Sequence, residues 1–212
     1  MGLHSGYLVA TTSPAKLLEE LSRHAGEFIP DVVVDRTSEA EIDSSQFDLL
    51  LGGSDDRAFL LDTSMILSDS PDMIVAMSAE LGTVVGAGAE TVSGTYWLTV
   101  ARDGEPLRYV YASHASLTQG MAMGDPLPSE EECPLVDISG QGVFAALALF
   151  GLDPSPWLAS GPATIVRYDA ARFPADGPIA AVVAEHAKQH SRPEGEWLRE
   201  ITVVSTEGGV RG

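Results

Sequence analysis

The sequence holds a single cysteine, Cys133, in 212 residues. An intrachain disulfide is therefore excluded, and the fold must stand on its core. Positive charge is scarce too: 12 Lys and Arg face 31 Asp and Glu, a net charge of −19. A surface of that sign repels nucleic-acid phosphates and anionic membranes. Neither nucleic acid nor membrane is an expected partner. Long apolar runs are missing: the longest, Val143 to Phe150, has 8 residues, against about 20 for a bilayer span. The segment Met1 to Ala10 has no basic stretch followed by an apolar one, so it does not read as a signal peptide. With the lone thiol, these absences predict a cytoplasmic protein.

The familiar catalytic signatures are also absent. The chain has no GxxxxGK[ST] phosphate loop, no serine flanked by glycines at −2 and +2, no HExxH, no CxxC and no EF-hand calcium loop. No cofactor is expected. Absence of a motif is weak ground against an enzyme, however, because catalytic residues can be dispersed along a chain.

What is present is a globular composition, 44% hydrophobic and 20% charged. Tyr7 to Ala10 reads as a strand. Ser13-Pro14 then opens a helix with Leu17, Leu18 and Leu21 on one face and Gly26 at its end. Asp31 to Asp35 is extended. Phe47 to Leu51 and Ala58 to Leu61 form a hairpin about Asp55-Asp56. Asp69-Ser70-Pro71 starts a second helix, with Met73, Ile74, Met77 and Leu81 as its buried stripe and Gly82 at its close. Thr91 to Ala101 and Leu107 to Ala112 pair across Asp103-Gly104, a dipeptide suited to a type I′ turn.

His114 to Pro134 reads as a long surface loop. Ser139 to Gly151 predicts a helix whose segment Gly142 to Phe150 is apolar all round, and so a centrally buried one. Thr164 to Tyr168 and Trp197 to Val204 read as strands, Ile179 to His190 as an amphipathic helix, and residues 207–212 as a flexible tail. The expected class is α+β: one domain over 1–212, a mostly antiparallel sheet with three or four packed helices.

Candidate chemistry is thin. Gly86-Ala87-Gly88-Ala89 lacks the strand-to-helix setting of a phosphate site and reads as a turn. Ser139-Gly140-Gln141-Gly142 precedes a helix and reads as close packing at its start. His186 and His190 stand four apart on a predicted helix, the spacing that aligns two imidazoles for a metal. Two ligands do not make a site, so no metal is expected there. Cys133 follows Glu130-Glu131-Glu132, carboxylates that raise a thiol pKa and make it a poor nucleophile.

The hairpin carries Tyr96, Trp97, Arg108, Tyr109 and Tyr111. Alternation sends neighbours to opposite faces, so one aromatic set faces away from the main core or lies under a covering helix.

The order of elements is also familiar. Asp69-Ser70-Pro71 opens a helix; Ser78, Val84-Val85, Glu90 and Ser93-Gly94 follow. Then come the Asp103-Gly104 hairpin with Arg108, Gly124-Asp125-Pro126-Leu127-Pro128 with Glu130, and a helix with Gly151 and Trp157. Over about residues 58–158 this resembles small acidic α+β proteins of actinobacteria, some encoded beside polymorphic toxins as their immunity partners. The likeness lies in order and style, and brings no catalytic residues.

The expected function is thus non-enzymatic binding of a basic protein partner, of the immunity or antitoxin type that the resemblance implies. Asp125, Glu130, Glu131 and Glu132 would steer the encounter. Trp97 or Tyr96, whichever faces out, would anchor it, with Arg108 beside them. Two alternatives stand: a hydrolase-like enzyme with a cleft of His114, Glu90 and Arg108, or a structural component of a larger particle.

Overall fold

A computed structural model describes residues 4–37, 40, 48–112, 121–132 and 140–168. The expected helix at 179–190 with His186 and His190, the strand at 197–204, the tail, His114 and Cys133 lie outside the described residues.

The fold is α+β, dominated by one nine-stranded sheet in the order β2-β9-β3-β4-β1-β5-β6-β7-β8. Its elements are β1 (His4–Ala10), α1 (Pro14–Ala25), β2 (Phe28–Val34), β3 (Leu49–Ser54), β4 (Arg57–Asp62), α2 (Pro71–Leu81), β5 (Thr83–Glu90), β6 (Thr95–Arg102), β7 (Glu105–Ala112), β8 (Met121–Met123), α3 (Ser129–Glu132), α4 (Gly140–Leu149), α5 (Ser155–Ser160) and β9 (Ala163–Tyr168). Every described strand pair is antiparallel. No helix among the described residues is long and apolar enough to cross a membrane.

The sheet carries a core on each face. Helices α1 and α2 lay Leu17, Leu21, Met73, Ile74 and Met77 on Leu8, Leu49, Leu60 and Val84. On the other face α4 and α5 lay Val143, Leu147 and Trp157 on Val9, Leu50, Val85, Leu98 and Ile165. Period-2 alternation along β1, β3 and β5 produces this division, since successive residues feed opposite cores.

Local chemistry explains the element ends. The Ser13 hydroxyl accepts the Lys16 N–H at 3.4 Å, and Pro14 occupies the first helical turn. In α2, Pro71 plays the same part, but the Ser70 hydroxyl donates to the Ile66 carbonyl at 2.7 Å instead of capping. The β6–β7 turn has Asp103 at φ 52° and Gly104 at φ 83°. Positive φ at both positions is what a type I′ turn requires.

Three expectations need correction. Helix α4 is not buried all round: Val143, Ala146 and Leu147 are fully buried, but Leu149 is 48% exposed. The sheet covers one stripe at helical spacing, and the small side chains of Ala145 and Ala148 leave little apolar area to hide on the rest. The span from His114 to Pro134 is not all loop, because it contains β8 and α3. Gly86 to Ala89 is not a turn but the middle of β5. Its glycines admit neighbours: a Cβ on Gly88 would stand 2.1 Å from Cζ2 of Trp97.

Candidate functional site

Helix α2 packs on β5 and β6 and, less extensively, on β7. Tyr109 pairs with Thr99 on one side and Met123 on the other. Alternation places Thr99 and Tyr109 on the α2 face. Between α2 and strands β6 to β8, the described residues leave a groove of about 350 Å³ lined by Pro71, Asp72, Val75, Thr99, Pro106, Tyr109 and Met123. Its walls are mostly apolar, and Met123 is 66% exposed. The Thr99 hydroxyl is buried without a hydrogen-bond partner. Buried hydroxyls nearly always have one, so an orphan on a groove wall calls for explanation.

The wall on the α2 side is set by the turn before it. Asp62 is fully buried. Its Oδ1 accepts from Ser64 N at 3.1 Å, Ser64 Oγ at 2.6 Å and Met65 N at 3.0 Å. Its Oδ2 accepts from Ser68 N at 2.9 Å and Ser68 Oγ at 3.1 Å. These bonds hold Met65 at a φ of 63° and aim the chain into α2.

Asp69 follows, half-buried, with no hydrogen bond or ion pair to a described residue. Burial, and then the nearby charge of Asp62, push its carboxyl up to about 6. The Tyr109 phenol is raised first by burial, then by Asp69, then by Tyr111. Asp72, on the lip, is exposed and also makes no ion pair with a described residue.

The sequence candidates fall elsewhere. Trp97 is 2% exposed, its ring packed over Gly88 and Gly6, so it cannot anchor a partner. Tyr96 is half-buried and packs on the opposite core. Arg108 is an internal cation: Nε meets Glu130 Oε1 at 2.8 Å, Nη2 meets Oε2 at 2.6 Å, and Nη1 donates to the Gly124 carbonyl at 2.7 Å.

Glu130 also accepts the Leu127 N–H at 2.8 Å, and the pair's side chains are only 7% and 9% exposed. Neither residue is available to steer or touch a partner; the pair ties α3 to the hairpin. Asp125 is exposed, as expected of a steering charge. Glu131 and Glu132 lie in α3, their side chains outside the described set. The enzyme alternative does not assemble from Glu90 and Arg108. Glu90 accepts the Val92 and Ser93 N–H groups and lies opposite Thr95, while Arg108 lies opposite Val100. Five residues along a strand separate them by roughly 17 Å.

Among the described residues no three His, Cys, Asp or Glu side chains gather as a metal would need. Comparison with known proteins finds no family model that matches the chain, and no match among curated proteins or solved structures.

Proposed function

We propose that this chain is a binding protein for a basic protein partner, of the immunity or antitoxin kind that its order of elements resembles. The observation that carries the reading is the apolar groove beside α2 with an exposed carboxylate, Asp72, on its lip that no described residue pairs. The net charge of −19 supplies long-range attraction to a basic surface. Asp103 and Glu105, exposed at the β6–β7 turn, and Asp125 beyond β8 take the steering role first expected of Glu130. Tyr109 and Val75 replace Trp97 as the apolar contact.

The division of labour is physical. Exposed charges raise the association rate and make it salt-sensitive, while a desolvated apolar contact sets the dissociation rate. The test is binding kinetics with the purified product of the adjacent gene at several salt concentrations. The association rate should fall steeply with salt, and Tyr109→Ala should raise the dissociation rate. Turnover of a small molecule with no such complex would overturn the reading.

A further inference from the structure

The groove is built for more than general stickiness. We propose that it is a slot for a lysine-type side chain, its aliphatic stem lying along Val75, Pro106, Tyr109 and Met123, its ammonium group held by Thr99 and by the field of Asp69 and Asp72. This rests on the binding reading and names what the partner inserts.

Two independent observations support it. Thr99 lines the groove and is 2% exposed, and its buried hydroxyl has no partner among the described residues and can accept an N–H. The two carboxylates flanking the start of α2 make no ion pair with any described residue, and the charge of Asp69 reaches the Tyr109 phenol on the groove wall. The α2 N-terminus contributes a partial positive charge of about half a unit, which two carboxylates outweigh. The walls then match the stem. Long basic side chains lay their methylenes on apolar surface and keep the charge at a polar site. At about 350 Å³ the groove sits at the small end of ligand pockets, which run about 300–1,000 Å³. That is room for one long side chain.

The minimal probe is hexylammonium, with hexanol as its uncharged counterpart, titrated into the full chain at pH 7.5 by amide and side-chain NMR. Hexylammonium should shift Val75, Thr99 and Tyr109 saturably and bind about fivefold more tightly than hexanol, the ratio a partly screened ion pair carries. Asp72→Asn and Thr99→Val should each weaken hexylammonium about two- to threefold and leave hexanol unchanged. Asp72 is exposed, so its variant tests charge without threatening the fold.

Equal binding of hexanol and hexylammonium would overturn the cation slot, as would the absence of any saturable shift. If hexylammonium fails while the adjacent gene product still binds, this inference falls and the binding reading stands. If hexylammonium binds as described but no basic protein does, the slot stands and its assignment to a protein partner falls.

Discussion

Asp62 and Asp69 stand seven residues apart on the same turn and have opposite circumstances. Asp62 is fully buried and accepts five hydrogen bonds. Asp69 is only half-buried, accepts none from a described residue, and has its carboxyl raised to about 6 by burial and by Asp62 itself. The first is a carboxylate the fold needs. The second is a carboxylate the fold tolerates at a cost, since burying a charge without partners is unfavourable. A carboxylate kept at a cost to stability is a candidate for a role other than folding.

The comparison breaks most visibly at Asp62. Asp62→Ala strands the backbone N–H groups of Ser64 and Ser68, leaves the Met65 N–H only its 3.3 Å bond to the residue-62 carbonyl, and frees Met65 from its positive φ. Urea unfolding should show a loss of about 3–4 kcal/mol. A loss below about 1 kcal/mol would mean that water or a relaxed turn satisfies those donors, and the contrast with Asp69 would collapse.

Asp69→Asn should act in the other direction. The folded carboxyl titrates at about 6, above the roughly 3.9 of an unfolded aspartate. Between those values the native state holds the proton more tightly, so stability declines as pH rises from 4 through 6. Above that window the full cost of the ionised group is present. The asparagine variant should therefore be more stable than the parent by about 1–2 kcal/mol at pH 7.5, with the gain gone near pH 4. Denaturant melts across that range would read it directly. An unchanged or lower stability at pH 7.5 would show that Asp69 is compensated.

The same titration sharpens the cation slot. Asp69 faces Asp62 from the end of β4 and Tyr109 from β7, and it lies at the N-terminal side of α2. As pH falls from 7.5 to 5 it gains a proton, and hexylammonium should bind about two- to threefold more weakly. Hexanol affinity should stay flat. A flat hexylammonium profile, measured by the same NMR titration, would remove Asp69 from the slot and leave Asp72 alone.

Much of the fold was legible from residues. The Asp103-Gly104 turn, the stripe Met73, Ile74, Met77 and Leu81, and the Ser13-Pro14 helix start are local chemistry, and the structure carries each of them. The misreadings involve neighbours distant in sequence. Whether Trp97 faces solvent depends on glycines in β1 and β5 that make room for its ring. Whether Arg108 is free depends on a short helix 22 residues later. Residues 86–89 looked like a turn because glycines are poor in strands, yet here close packing demands them. The groove itself carries no local signal. Thr99, Tyr109 and Val75 are ordinary strand and helix residues, and only the packing of α2 across β6 and β7 brings them to one surface.

The smallest expected effect falls on Thr99, and it separates a site from a packing flaw. Thr99→Val keeps the shape of the side chain and deletes a buried hydroxyl of the groove wall that has no partner among the described residues. A hydroxyl that contributes a structural hydrogen bond costs about 1 kcal/mol or more when removed. One that sits unpaired costs nothing, and its loss should leave stability unchanged or raise it by up to about 1 kcal/mol. A flaw in packing predicts that gain and no other change. A binding group predicts the gain together with weaker hexylammonium binding and unchanged hexanol binding. Denaturant unfolding and the NMR titration on this one variant therefore decide the matter. A stability loss above about 1 kcal/mol would show that Thr99 is bonded in solution, and would take the orphan hydroxyl out of the argument for the groove.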